Sequence, residues 1–171
     1  KVEKTSAQHI PMHPEHDIGK TDLYNFFPEL KKLKGIAMLR FYYKNWVFSP
    51  VPYYVGQIEE VLQDFKADAI VGDTFRNCAV FVAERGGPPL AMINVFPVVY
   101  PGNDSPPQGI GMLPAKSFVS KIKQSFLRFV LYKMVYRSTQ NYCNSIRTEL
   151  GLPKYKRFFL LEGWENPSFV L

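Results

Sequence analysis

The stretch ADAIVGDTFRNCAVFVAERGGPPLAMIN, Ala67 to Asn94, decides how the rest of the chain is placed. Ala69, Ile70 and Val71 form a short apolar run without polar alternation, as in a strand buried on both faces of a parallel sheet. Gly72 and Asp73 end that run. Asn77 is positioned to cap a helix whose Val80, Phe81 and Ala83 face the sheet, and Gly86, Gly87 and Pro88 stand where such a helix stops. Leu90 to Val95 returns as a second buried strand. The unit predicts a right-handed βαβ crossover, and in open α/β sheets ligands gather at the carboxyl ends of the strands, where Asp73 stands.

Working outward, the chain of 171 residues is long enough for one domain with a sizeable core, and its 46% apolar and 15% aromatic content is globular. No apolar run approaches the roughly 20 residues of a membrane span, so a soluble protein is expected, and the scarcity of cysteine makes a reducing cytoplasm its expected compartment. The net charge of +6 would suit anionic partners, but no recognition motif accompanies it and nucleic acid is not expected. Cys78 and Cys143 are too few and too far apart for a disulfide framework or a zinc site. His9, His13 and His16 with Glu15 and Asp17 suggest a metal cluster, but Pro11 and Pro14 forbid the helical face that would converge the imidazoles. No metal is expected. His13 is retained as a residue that could line a cleft.

Before the central unit, Thr21 to Lys66 reads as three helices: one capped by Thr21 or Asp22 and closed at Gly35, one from Ile36 to Val47, and one from Tyr53 to Phe65. The aromatic run RFYYKNW, Arg40 to Trp46, either packs a core or walls a pocket for a flat apolar ligand. After the central unit, Phe96 to Pro114 is a proline-rich loop. Its Gly109-Ile110-Gly111 lacks the preceding strand and third glycine of a phosphate-binding fingerprint. Ser117 then starts one long helix ending at Gly151, with Phe118, Ile122, Phe126, Val130 and Met134 at helical spacing. Such a basic amphipathic helix can lie on a membrane, giving a possible peripheral contact, but a stripe leading into a Gly-Leu-Pro stop reads as a packed core helix. Gln8 to Pro11 and Ser168 to Leu171 read as strands near the two ends. The chain reads as cut at both.

The succession DAIVGDTFRNCAVFVAERGGPPL, the proline-rich loop, the long helix, NSIRTELGLP and the terminal SFVL resemble the N-terminal, acceptor-binding domain of nucleotide-sugar-dependent glycosyltransferases of the two-Rossmann-domain (GT-B) type. The macrolide and sterol glycosyltransferase-like branch is the most similar. The resemblance spans about Gln8 to Leu171 and implies a Rossmann-like, three-layer α/β domain with a mainly parallel sheet, one incomplete half of the enzyme. In that family a histidine after the first strand deprotonates the acceptor hydroxyl, and an aspartate at the end of a later strand holds and polarises it. Asp73 matches the aspartate, whereas none of His9, His13 or His16 lies in the matching context.

The resemblance therefore implies a histidine from outside this chain and a nucleotide-sugar donor bound by a second, C-terminal domain, with no cofactor held here. The acceptor, an apolar hydroxylated small molecule, would meet His13, Thr74, Phe75, Asn77, Phe96 and Pro97. Taken by its residues alone, Asp73 reads first as a cap for the helix that follows it. A non-catalytic α/β module binding an apolar small molecule is the alternative function; a hydrolase is disfavoured by the lack of a Gly-x-Ser-x-Gly elbow. A sheet lacking its first strand would leave an open edge or a bare apolar face, an invitation to oligomers.

Overall fold

The computed structural model describes residues 7–11, 22–74, 78–94, 106, 112–165 and 169–170. The chain falls into two compact units, Lys1–Met38 and Leu39–Leu171. In the first, Asp22 accepts a hydrogen bond from the Tyr24 amide at 2.7 Å and caps α1 (Leu23–Phe26). The predicted helix does not run on to Gly35. Pro28 disfavours helical geometry in the residue before it, Phe27 leaves at φ −124° and ψ 82°, and a single 3-10 turn, Pro28–Lys31, follows. Residues 7–11 carry no regular structure and are exposed, so the strand expected at Gln8–Pro11 does not form there.

The second unit is α/β, as expected. Strands β1 (Ile70–Asp73), β2 (Leu90–Ile93) and β3 (Phe169–Val170) lie parallel in that order, with Ile70 opposite Leu90 and Ala91 opposite Phe169. Helix α4 (Cys78–Glu84) is the crossover between β1 and β2, and its Ala79, Val80, Phe81 and Val82 are buried. It ends as the glycines predict. Gly86 takes φ +95°, its amide donates to the Ala83 carbonyl, and the Gly87 amide donates to the Val82 carbonyl at 3.0 Å, a double closure that ties off the last turn.

Helix α3 (Val51–Asp64) packs along α4, starting at Val51 because Pro52 suits a first helical turn. Val51, Tyr54 and Val55 are buried, with Ile58 and Leu62 against the core; Phe65, expected as the last helical residue, lies just past the helix end and is exposed. Arg85 links three elements: its Nε meets Glu59 of α3 at 2.6 Å and its Nη1 donates to the Leu150 carbonyl.

Helix α2 (Gly35–Tyr42) passes into a wide turn, Tyr43–Phe48, in which the Ser49 amide donates to the Lys44 carbonyl at 2.9 Å. The long helix predicted from Ser117 divides in the same way. Its α5 (Phe118–Val130) leads into a wide turn, Leu131–Val135, and α6 (Arg137–Glu149) follows. Neither turn contains proline or glycine. Tyr43 of the first wide turn and Tyr136, just past the second, meet edge-to-face at 5.9 Å, and the Arg40 guanidinium donates to the Val135 carbonyl at 2.6 Å, satisfying a group on the wide turn. Phe159 of α7 (Phe159–Glu165), a helix absent from the sequence expectations, packs on Tyr43 and Phe48 at 5.3 and 5.0 Å. The aromatic run thus divides: Tyr43 is core, whereas Phe41 lines a groove of about 670 Å³ with Arg40, Lys44, Asn45, Thr139 and Tyr142.

A larger departure concerns α5. Ser117 caps it, accepting from the Ser120 amide while the Ser120 hydroxyl accepts from the Ser117 amide. Its apolar stripe, however, does not face the core: Phe118, Ile122 and Phe126 are exposed, as is Met134 beyond the helix end, and Val130 is half-buried. Gln124, only 1% exposed, occupies the inward side and donates to the Leu113 carbonyl at 2.8 Å. Helical spacing shows that a helix has an apolar face but not which side its neighbours cover.

Candidate functional site at the carboxyl ends of the strands

Asp73 is the last residue of β1, opposite Ile93, and is half-buried. Its face of the sheet follows from Gly72: a Cβ there would lie 3.1 Å from the Cβ of Ala79 in α4 and 3.3 Å from the Met92 sulfur. Gly72 therefore points at the crossover helix, and strand alternation turns Asp73 and Val71 to the opposite face. Val71 and Ile93 share the face and are both exposed, 64% and 45%, so the carboxylate is bordered by open apolar surface.

Thr74 follows, buried at 5%, and locks the two strand ends together. Its amide donates to the Ile93 carbonyl at 3.2 Å and its hydroxyl donates to the Asn94 side-chain oxygen at 3.0 Å. Asp73, Thr74 and Asn94 are thus gathered at the carboxyl end of the β1–β2 pair. An ionised carboxylate there is an acceptor only, suited to hold an N–H or O–H donor brought to the end of the sheet. Of the other residues singled out from the sequence, His13, Phe75, Asn77, Phe96 and Pro97 lie outside the described residues. The Thr74–Asn94 bond was not legible in the sequence, since it depends on the register of two strands 20 residues apart.

Behind the sheet, α6 is anchored to α4 by a buried ionic group. Arg147 is 2% exposed; its Nη1 lies 2.5 Å from the Glu84 carboxylate, its Nε donates to the Pro153 carbonyl at 2.7 Å, and its guanidinium sits 3.6 Å from the Tyr155 ring centre. The Tyr155 hydroxyl donates to the other Glu84 oxygen at 3.1 Å. Burial, then the negative charge of Glu84, pushes the Tyr155 phenol well above its ordinary range. Arg147 and Glu84 are used up in one another, which makes this cluster a brace and not a reactive centre.

Comparison with known proteins gives one clear relative. The chain is similar to 4'-demethylrebeccamycin synthase of Lentzea aerocolonigenes. The two are 30% identical over 170 residues, which is 99% of this chain and 40% of the synthase. The chain therefore spans well under half the length of the relative it matches. No family model matches the chain, and no solved structure matches it. The similarity supports the glycosyltransferase resemblance read from the sequence. Among the described residues, no helix is long and apolar enough to cross a membrane.

Proposed function

We propose that this chain is the acceptor-binding part of a glycosyltransferase that moves a hexosyl group from a nucleotide-sugar donor to a hydroxyl of an apolar small molecule. The observation that carries the reading is the position of Asp73: half-buried at the carboxyl end of β1, on the sheet face away from α4, beside exposed Val71 and Ile93. The similarity along nearly the whole chain to 4'-demethylrebeccamycin synthase, a glycosyltransferase, supports it.

An alcohol is a poor nucleophile near neutral pH, so transfer needs a general base within hydrogen-bond reach. In this reading a histidine from outside the chain takes the hydroxyl proton as the acceptor oxygen bonds to the anomeric carbon. The bond from that carbon to the donor phosphate breaks, and the nucleoside diphosphate leaves. Asp73 accepts the far N–H of the imidazole, fixing its tautomer and stabilising the imidazolium that forms. Thr74 and Asn94 hold the strand ends so that the carboxylate keeps its place. The donor binds a second domain, and Val71 and Ile93 border the apolar acceptor.

The test is Asp73→Asn in the enzyme that contains this chain, assayed by steady-state kinetics with nucleotide-sugar donors and apolar alcohols. The amide keeps the shape of the carboxylate but not its charge, so turnover should fall by about 100-fold or more, the scale of general-base assistance, with unfolding nearly unchanged. Wild-type turnover in Asp73→Asn would remove Asp73 from the mechanism and favour a module that only binds an apolar molecule.

A further inference from the structure

The exposed face of α5 has a composition that its neighbours in the fold do not explain. At about 100° per residue, Phe118, Val119, Ile122, Phe126 and Phe129 fall on one arc of roughly 120°, half a turn from buried Gln124. All are exposed, Phe118 at 77% and Phe126 at 64%, and Leu113, just ahead of the helix, reaches 83%. This is an unbroken aromatic and aliphatic surface turned to solvent, larger than scattered single residues produce.

Charge specifies what such a surface fits. Lys121 and Arg128 lie along one edge of the arc and Lys123 along the other, with Lys116 before the helix and Lys133 after it. No acidic residue interrupts them: Ser105 to Thr148 holds seven of the chain's 21 Lys and Arg and none of its 15 Asp and Glu. Five of the seven, Lys116, Lys121, Lys123, Arg128 and Lys133, flank the arc, whereas Arg147 is neutralised by Glu84 in the core. A protein partner covering the arc would need carboxylates along both of its edges to match these cations. Cations along both edges match a planar anionic layer, in which the apolar arc enters the acyl boundary while the lysine stems reach back to the headgroups. Ser117 and Ser120 cap the helix, so it is already formed before it meets a surface.

We infer that α5 docks this protein, in the plane of the bilayer, on an anionic lipid surface. The inference does not rest on the glycosyl-transfer reading, since it uses none of the residues at the strand ends. Such docking would hold the protein where apolar molecules partition.

The test is co-sedimentation of the 171-residue chain with vesicles of equimolar phosphatidylcholine and phosphatidylserine, and with vesicles of phosphatidylcholine alone. Binding is expected to the anionic vesicles only and to weaken as salt is raised. Lys121→Ala with Lys123→Ala should lower the partition coefficient about 25-fold, roughly fivefold for each cation near the surface. Phe118→Ser with Phe126→Ser should lower it by on the order of tenfold or more per ring. Both pairs are exposed, and thermal unfolding of each variant ensures that binding is compared between folded proteins. Absence of binding by the folded wild type, or binding unaffected by both pairs, overturns the inference. So does self-association of the wild type that Phe118→Ser with Phe126→Ser abolishes, because the face would then belong to a second copy of the chain.

Discussion

Arg147 illustrates how much rests on single residues in this fold. A guanidinium that is 2% exposed is tolerated because the Glu84 carboxylate, the Pro153 carbonyl and the Tyr155 ring all receive it. Removing the cation leaves Glu84 with a desolvated, uncompensated charge. Arg147→Ala is therefore expected to lower stability by about 3 to 5 kcal/mol, seen as a fall in the urea midpoint with little change in slope. Arg147→Met, which refills the volume but leaves Glu84 charged, should recover only part of the loss, and combining it with Glu84→Gln should recover more. The sequence placed Arg147 near a helix stop but could not reveal its partner, because Glu84 belongs to another helix. Asp73 is the opposite case: its place at a strand end was legible, and only the packing of α4 against Gly72 showed which face it takes.

Among the elements, the β1–α4–β2 unit forms where its local signals put it, because each signal there acts over a few residues. Its tightest joint is Gly72 against Ala79, where a Cβ would stand 3.1 Å from the neighbouring Cβ. Gly72→Val should push α4 off the sheet, costing about 1 to 3 kcal/mol as overpacking does, and differential scanning calorimetry should show the lower melting temperature. α5 offers a milder test. Its start depends on the reciprocal Ser117–Ser120 bonds, so Ser117→Ala should cost about 1 kcal/mol, measurable as loss of helical circular dichroism on mild heating. The division of the predicted long helix at Leu131–Val135 was not legible, and the residues that meet it there, Tyr43 and Arg40, come from far earlier in the chain. The expectation that the α5 stripe packs inward failed for a related reason: amphipathicity is local, whereas cover is tertiary.

Across the whole molecule, the core buries several groups that ionise in alkali. Burial pushes the Cys143 thiol from 9.0 up to about 12, with Arg147 opposing and Glu84 adding to the rise, and burial likewise raises the phenols of Tyr43 and Tyr155. These groups stay protonated in the folded state at pH values where the unfolded chain has lost its protons. Their contribution is complete below pH 9 and is lost as the pH climbs towards 12 for Cys143, and above pH 10 for the tyrosines. Stability measured by urea titration should therefore decline steeply above pH 9, and Cys143→Ala should flatten the slope between pH 9 and pH 12.

The amino-acid sequence alone determined the α/β class, the crossover from Ile70 to Ile93, the capping Ser117, the glycine stops after α4 and α6, and the place of Asp73 at a strand end. Each of these depends on backbone preferences and hydrogen bonds within about five residues, where composition and order suffice. Tertiary structure decided the rest. The Thr74–Asn94 bond needs two strands in register, the Arg147–Glu84 pair needs two helices brought together, and the contacts of Arg40 and Tyr43 at the wide turn after α5 join segments some 95 residues apart. Which face of α5 is covered depends on what surrounds the helix, a quantity that no periodicity along the chain contains.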